Sequence, residues 1–205
     1  MNLTIGHHLN SRSSGTSRIQ LGGTDVYCYV NGPADTAAST QLPQKSFMTV
    51  EIQHFKSDTS LLSETLTNLF SRSIILERYP RCVISMCFQV ISDKGCLLSC
   101  LINSGFAALM DASISIKLFS PSLTISLRDN EYLINPSKEI ELSANSTVTV
   151  ALDPLSCVDE PKPSLLEVSG VLSDENLFRV LTFSVDSLRG LREKFRSVFS
   201  ETWCL

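Results

Sequence analysis

One stretch constrains the fold more than any other: residues 93–112, DKGCLLSCLINSGFAALMDA. A glycine turn opens it, and the following run carries large apolar side chains around the whole circumference of a helix, with small residues between them. A transmembrane helix needs about twenty uninterrupted apolar residues, whereas Asn103, Ser104 and Gly105 interrupt this run and Asp111 closes it. The pattern predicts a helix buried inside a protein, and no membrane association.

A strand precedes this helix. Residues 82–91, CVISMCFQVI, are apolar almost without alternation and rich in β-branched residues, which is typical of a strand covered on both faces. The strand leads straight into Asp93, so strand, turn and helix form one unit. Alternation predicts further strands at residues 24–30, ended by Asn31-Gly32-Pro33, and at 48–53. Residues 17–21 form a hairpin with the first of these through Gly22-Gly23.

Two more helices frame the remaining strands. The first is capped by Asp58 or Ser60 and runs to about Leu76, and the second is capped by Ser173 and is long and amphipathic. Strands are predicted at residues 123–127, 132–134, 146–152 and 165–171, and the N-terminus is read as a polar, mobile tail. Since no repeat or linker interrupts residues 1–205, the sequence predicts a single domain of the α/β (α+β) class, with mixed sheets packed against helices.

Composition limits the function. A net charge of −4 and a pI near 5.4 exclude a free-standing basic nucleic-acid binder, so any RNA contact is local or shared with partners. The N-terminus has no apolar signal segment, which indicates a reducing compartment. The seven cysteines fit that expectation, since those in apolar runs act as small hydrophobes.

Few residues suggest chemistry by themselves. His7, His8 and His54 have no cysteine or carboxylate at ligand spacing, so neither a metal site nor a cofactor is predicted. Cys96 and Cys100 lie one helical turn apart and are compatible with a metal or redox site, but their apolar neighbours favour core packing. No G-x-S-x-G elbow, phosphate loop ending in G-K-[ST] or H-E-x-x-H motif is present.

Two features leave alternatives open. Arg72, Arg78 and Arg81 cluster around the end of the first predicted helix, and are either a solvated helix end or an RNA-contacting patch. The arginines at residues 189–196 pose the same choice. The turn Asp93-Lys94-Gly95 stands before a buried helix, where backbone N–H groups can hold a phosphate, but it can equally be a tight connection.

Three segments carry a shared pattern: Gly15-Thr16-Ser17 followed by GGTDVYCYVNGP, then RYPRCVISMCFQVISDKGCLLSCLINSGFAALMDASI, and LINPSKEIE. They resemble the RNase PH family's D-G-S, G-x-T-x-V and V-x-G-P motifs, its strand, D-G-G turn and A-A-x-x-A-L-x-D-A-G helix, and its L-D-x-x-x-x-E-D. The resemblance covers roughly residues 5–152 and is strongest to the RNase PH-like ring subunits of the eukaryotic RNA exosome. It implies the RNase PH fold, which is ribosomal protein S5 domain 2-like.

In active members of this family phosphate attacks the 3′-terminal linkage of RNA and releases nucleoside diphosphates, which requires cationic donors and acidic residues. Where the family carries D-G-G-T-R-T, this chain has Cys96 in place of the hydroxyl donor and Leu97 with no arginine after it. The two catalytic aspartates align with Asn135, an amide that transfers no proton, and Glu141, whose extra methylene displaces the carboxylate.

Further positions depart from the pattern. Thr67 and Phe70 stand where active relatives carry helix arginines, and Ser14 replaces the D-G-S aspartate. These changes together imply a non-catalytic protein. The alternative is an active phosphorolytic 3′-to-5′ exoribonuclease that uses Glu141 and Lys94.

The resemblance also implies partners. They are other RNase PH-like subunits in a six-membered ring, S1/KH cap subunits, an associated catalytic ribonuclease and single-stranded RNA in the channel, with Lys94, Arg72, Arg78 and Arg81 as candidate RNA contacts. The expected localisation is the nucleus and nucleolus, and also the cytoplasm. Leu97-Leu98, and a chain that begins almost at its first strand, resemble most the ribosomal RNA-processing protein 46 type of ring subunit, with the messenger RNA transport regulator 3 type second.

Overall fold

The computed structural model describes residues 3–35, 44–54, 59–128, 131–155 and 162–203. The strands are β1 (Leu3–His7), β2 (Gly15–Leu21), β3 (Thr24–Asp35), β4 (Phe47–Gln53), β5 (Cys82–Ser92), β6 (Ser122–Arg128), β7 (Glu131–Ile134), β8 (Ser146–Ala151) and β9 (Leu165–Gly170). The helices are α1 (Ser60–Ser73), α2 (Leu97–Asp111), α3 (Lys138–Ser143) and α4 (Asp174–Trp203), and a 3₁₀ turn spans Leu76–Arg78. Within these ranges no helix is both long and apolar enough to cross a membrane.

Two sheets organise the chain. The first has the order β1-β2-β3-β5-β4 and is mixed, because β4 runs parallel to β5 while the other pairs are antiparallel. The second has the order β7-β6-β8-β9 and is antiparallel throughout. The predicted α/β class is confirmed, and only the first of the two sheets is mixed.

The buried helix is α2, as predicted. Every residue from 98 to 109 is buried, and the helix contacts β2 and β3 of the first sheet and β6 and β8 of the second. Gly105 permits the close packing of α1, since a Cβ there would lie 2.2 Å from Cζ of Phe70. One continuous cluster of buried side chains therefore joins both sheets through α2.

The strand β5 departs from its prediction. Ile84, Met86, Phe88 and Val90 are buried on the face that packs against the helices, whereas Ile91 on the opposite face is 53 % exposed. The expectation that β5 is covered on both faces is wrong, because Gln89 and Ile91 on the outer face are exposed, although Cys87 on that face is buried. An apolar sequence run indicates that a strand is buried, but not which layer covers each face.

Three boundaries also differ. The strand β3 does not end at residues 31–33 but continues to Asp35, because an irregularity between Asn31 and Ala34 lets the chain pair again with Val83 and Cys82. The helix α1 has Thr59 at its N-cap and ends at Ser73, where the chain turns to bridge Ile74 with Ile116. Of the two predicted caps, Ser60 is the first helical residue and Asp58 lies outside the described residues, as do residues 36–43 between β3 and β4 and residues 156–161 between β8 and β9.

The N-terminus is a strand and not the polar tail that the sequence predicts. In β1, Leu3, Ile5 and His7 stand opposite Leu21, Ile19 and Ser17 of β2. His7 then stacks on Phe199 of α4 with ring centroids 5.1 Å apart, and its Nδ1 lies 3.6 Å from the Asp111 carboxylate. A segment whose sequence is polar therefore forms an edge strand of the first sheet.

The second sheet separates α2 from α4. Ser122 and Thr124 of β6 hydrogen-bond to α2, so the alternate residues of β6 point to the side on which Tyr132 meets Phe183 of α4. The predicted strands and the long helix are confirmed, and the Ser173 hydroxyl accepts a hydrogen bond from the Asn176 N–H at 3.4 Å. At the sheet edge, Leu166 and Val168 of β9 remain 37 % and 42 % exposed.

Candidate functional site

The turn between β5 and α2 is held by hydrogen bonds on two sides, on one by the Thr24 hydroxyl and on the other by the backbone of Lys138. Thr24 at the start of β3 accepts a hydrogen bond from the Lys94 N–H at 2.9 Å and donates one to the Gly95 carbonyl. On the other side the Lys138 N–H donates to the Lys94 carbonyl at 2.8 Å. Gly95 has φ +113°, and a Cβ on it would lie 2.7 Å from the Pro136 oxygen. The turn is therefore a rigid connection that only glycine fits.

Glu141 occupies the N-terminus of α2. Its Oε1 accepts a hydrogen bond from the Cys96 N–H at 2.7 Å, and Cys96 itself is the N-cap, in the left-handed conformation with φ 57°. Helix N-termini favour anions because their first N–H groups have no partner inside the helix. The carboxylate of Glu141 therefore satisfies from within the chain a donor that could otherwise bind a phosphate.

The two cysteines of this region belong to the core. The Cys96 thiol donates to the Pro136 carbonyl at 3.1 Å, and burial, together with the negative charge of Glu141, raises its pKa far above the ordinary value. The Cys100 thiol lies 3.5 Å from the Ile19 carbonyl, and burial raises its pKa to about 12. Both thiols stay protonated at neutral pH, as the core-packing interpretation requires.

A cleft of about 340 Å³ lies in front of Glu141. We call it the α2 cleft; it is formed by the start of α2, by α3 and by the face of the second sheet that bears hydroxyl groups. Thr124 and Thr149 are linked across that face by a hydrogen bond of 3.1 Å. Of the described residues that line the cleft, two are acidic and none is basic; they are Leu62, Cys96, Leu97, Leu98, Thr124, Glu141, Leu142, Thr147, Thr149, Glu167 and Ser169.

Asn135 does not share this cleft. Its side-chain oxygen accepts a hydrogen bond from the Thr124 N–H at 3.3 Å, and its buried Nδ2 has no hydrogen-bond partner in the described part of the chain. The residue lines a separate cavity of about 620 Å³ between the Gly22 turn, the end of β7 and the middle of α4. The two positions that align with the catalytic aspartates thus line different cavities.

Asp93 is engaged by its neighbours. It accepts a hydrogen bond from the Gly95 N–H at 3.3 Å, forms an ion pair with the Lys138 ammonium, and lies 4.0 Å from His54 Nε2. Within the described ranges no group of three or more His, Cys, Asp and Glu side chains could hold a metal ion. The turn therefore presents a paired carboxylate and not an open ligand set.

The candidate RNA contacts divide into two groups. Lys94 lies at the turn, with its methylenes against Gly23, since a Cβ there would be 2.6 Å from Lys94 Cδ. Arg72, Arg78 and Arg81 lie at the other end of β5, and all three are exposed. Eleven strand residues separate the groups, which span about 35 Å at the usual rise of a strand. The arginines and the turn do not form one site.

Sequence reasoning does not show how several residues lie around the α2 cleft. The motif gives Glu141 only as an aligned position, and α3, with six residues, is too short to show helical periodicity. Glu167 carries no local signal, since only strand pairing brings it to the cleft. Thr24 lies in the segment that resembles the G-x-T-x-V motif, but its hydrogen bond to the turn follows only from the fold.

Comparisons with known proteins agree with this geometry. The family model described as "3' exoribonuclease family, domain 1" matches residues 1–115. The exosome complex component rrp46 of Schizosaccharomyces pombe is 26 % identical over 199 residues, which cover 94 % of this chain and 87 % of that protein. This likeness confirms the resemblance to the ribosomal RNA-processing protein 46 type of ring subunit.

Two solved structures share the fold. The crystal structure of rice (Oryza sativa) Rrp46 superposes with a TM-score of 0.85 at 21 % identity, covering 96 % of this chain and 93 % of that one. A structure described as the Archaeoglobus fulgidus exosome with RNA bound to the active site gives a TM-score of 0.76 at 20 % identity, covering 95 % and 88 %. The predicted RNase PH fold is confirmed, and the chain belongs to the 3′ exoribonuclease family, the RNase PH family.

Proposed function

We propose that this protein is a non-catalytic structural subunit of the RNA exosome core ring. In this role it supports 3′-to-5′ RNA processing and degradation by helping to enclose the channel through which RNA passes. The proposal is supported by likeness over nearly the whole chain to a protein named as an exosome component. The fold shared with rice Rrp46 over nearly the full length agrees with this likeness.

One observation carries the non-catalytic part of the proposal: the Glu141 carboxylate accepts the Cys96 N–H at 2.7 Å. A phosphate that approaches this donor would have to displace a carboxylate of the same sign. Phosphorolysis begins with a bound phosphate, so a carboxylate held on this donor opposes its first step.

The charge of the α2 cleft supports the same conclusion. Catalysis of phosphoryl transfer depends on cations that stabilise the negative charge of the transition state. Glu141 and Glu167 line the cleft, and no lysine or arginine is among its described lining residues. A phosphate and an RNA terminus would therefore meet repulsion where active enzymes supply attraction.

The proposal includes the partners of the subunit and its localisation in the cell. Other RNase PH-like subunits complete a six-membered ring, S1/KH subunits cap it, and an associated ribonuclease performs the hydrolysis. The proposed localisation is the nucleus and nucleolus together with the cytoplasm. Imaging of a tagged chain expressed at its natural level would test this, and exclusion from the nucleus would contradict it.

A phosphorolysis assay tests the absence of catalysis. The purified chain is incubated with single-stranded RNA, inorganic phosphate and magnesium, and nucleoside diphosphates are quantified. We expect no phosphate-dependent release from the wild type, from Glu141→Ala or from the matched control Glu139→Ala on the same helix. Release that requires phosphate and disappears only in Glu141→Ala would overturn the proposal in favour of an active exoribonuclease.

Purification from native cells tests the ring. The tagged chain is isolated under mild salt and its co-purifying proteins are identified and counted. We expect the RNase PH-like ring subunits at equal stoichiometry, together with the cap subunits. A chain that elutes alone, or with proteins unrelated to the exosome, would contradict the structural role.

A further inference from the structure

The end of the molecule opposite the α2 cleft concentrates positive charge. Chain segments that are distant in sequence meet there through backbone hydrogen bonds: Ser46 N–H to the Leu76 carbonyl at 3.1 Å, and Lys117 N–H to the Ser73 carbonyl at 2.7 Å. We call this surface the basic end, and define it by its five exposed cationic residues, which are Lys45, Arg72, Arg78, Arg81 and Lys117.

These cations are not neutralised by neighbours. None of the five forms an ion pair with a carboxylate in the described part of the chain, whereas Arg18, Lys138 and Arg192 elsewhere each do. Arg78 donates one hydrogen bond, to the Ser115 hydroxyl at 2.9 Å, which orients its guanidinium without cancelling its charge. The nearby carboxylates are those of Glu77 and Asp35, both exposed.

The charge of the basic end is opposite in sign to the net charge of the chain. The whole chain carries −4, so a surface with five cations and two carboxylates is a local reversal of sign. An aromatic side chain lies at its border, since Phe47 is 41 % exposed and stands opposite Val83, two residues after Arg81. Unpaired cations beside an exposed aromatic ring are the combination by which proteins hold single-stranded nucleic acid, through phosphates and base stacking.

We infer that the basic end binds the phosphodiester backbone of single-stranded RNA, at a surface separate from the α2 cleft. The inference deepens the proposed function, since a ring subunit that performs no chemistry can still hold RNA on its course. An acidic protein surface is the less favoured occupant. Protein interfaces of high affinity centre on buried apolar anchors with few charges, and the basic end has exposed charges at its centre.

Fluorescence anisotropy with the full chain and a labelled single-stranded RNA tests the inference. The test variant is Arg72→Gln/Arg78→Gln/Lys117→Gln. Arg81 is left intact because its backbone is left-handed, with φ +62°, so a substitution there would mix a change in stability with a change in binding. The matched control is Arg179→Gln/Arg189→Gln/Arg196→Gln, which removes the same charge from exposed positions of α4. Circular dichroism and urea unfolding establish that both variants fold like the wild type.

We expect the test variant to bind at least about tenfold more weakly at low salt, and its plot of log affinity against log salt to be shallower by about 2, since each lost contact with single-stranded RNA removes about 0.7. The control should stay within twofold of the wild type. Equal loss in both variants, no loss in the test variant, or no RNA binding by the wild type overturns the inference.

A parallel co-purification separates this result from the proposed function. The test variant is expected to assemble with the ring subunits like the wild type. If it keeps its RNA affinity but no longer assembles, the basic end is a protein interface and the inference fails. A failure of the ring proposal would show in the wild type's partners, whereas a failure of this inference would show in the variant's anisotropy.

Discussion

The charged side chains at the two ends of β5 differ in whether they are paired within the chain. At its C-terminal end the chain closes on itself: Asp93 pairs with Lys138, and Glu141 fills the N-terminus of α2. At its N-terminal end the basic end leaves five cations without a described carboxylate partner. At one end the charged side chains are bonded within the chain, and at the other end they are available to a ligand. The same strand thus joins a surface whose charges are satisfied internally to one whose charges are exposed.

The largest expected effect comes from a substitution at Gly95, in the turn between β5 and α2. A Gly95→Ala substitution places a Cβ 2.7 Å from backbone atoms of Pro136 and Lys138 at φ +113°, so we expect a loss of about 3 kcal/mol in the free energy of unfolding. Urea denaturation measures it. The control Gly190→Ala, whose Cβ would meet nothing within 4 Å, should be neutral or stabilising by up to about 1 kcal/mol. Similar values for both would refute the rigid-turn interpretation.

A chemical probe compares the two ends directly in the wild type. Cys82 is partly exposed beside the basic end, whereas Cys96 is 3 % exposed and burial raises the pKa of its thiol well above the ordinary value. Because the thiolate is the nucleophile, iodoacetamide at mildly alkaline pH should modify Cys82 at least about 100-fold faster. Peptide mass spectrometry over time measures both rates, with the urea-unfolded chain as reference. Equal rates in the folded protein would contradict the burial of the turn.

A smaller effect is expected from the carboxylate that fills the helix N-terminus. Glu141→Ala leaves the Cys96 N–H without its acceptor, and we expect a loss of about 1.5 kcal/mol in the free energy of unfolding. Glu141→Gln should lose less, because its amide oxygen can still accept the hydrogen bond. Urea denaturation compares both with Glu139→Ala. If Glu141→Ala is as stable as that control, the bond contributes nothing.

The smallest effect concerns pH. The hydrogen bond from Arg18 holds the pKa of Asp25 below its ordinary value, so the unfolded chain binds the proton more readily than the folded one. The pair's contribution is therefore full above about pH 4, the ordinary range of an aspartate, and is lost as pH falls below it. The stability difference between wild type and Arg18→Gln should shrink on acidification. A difference that stays constant through this range, as expected for the exposed control Arg179→Gln, would exclude the linkage.

Sequence reasoning succeeded where one periodicity decides the structure. The buried helix α2, the β2–β3 hairpin and the amphipathic α4 follow from patterns within single segments. It failed for β1, because Gly6, His7 and His8 resemble a polar tail until β2 supplies hydrogen bonds and Phe199 supplies a stacking partner. It also failed for the outer face of β5, since coverage of a face depends on layers that the strand's own residues do not specify.

The candidate site was predictable only in part. The substitutions at Cys96, Leu97, Asn135 and Glu141 can be read from the motif, but their arrangement cannot. That Glu141 reaches the Cys96 N–H, while Asn135 lines another cavity, follows from where α3 lies against the turn. The basic end likewise needed the fold, because Lys45 and Lys117 join the arginines only through backbone pairing.

The edge strand β9 has a practical consequence for work with this protein. Among the strands that the structure describes it lies at the edge of the second sheet, with Leu166 and Val168 exposed at 37 % and 42 %. Such an edge is a template for pairing with any other strand, including that of a second copy. We expect the isolated chain to self-associate as its concentration rises, and co-expression with the ring subunits proposed above to give more homogeneous material.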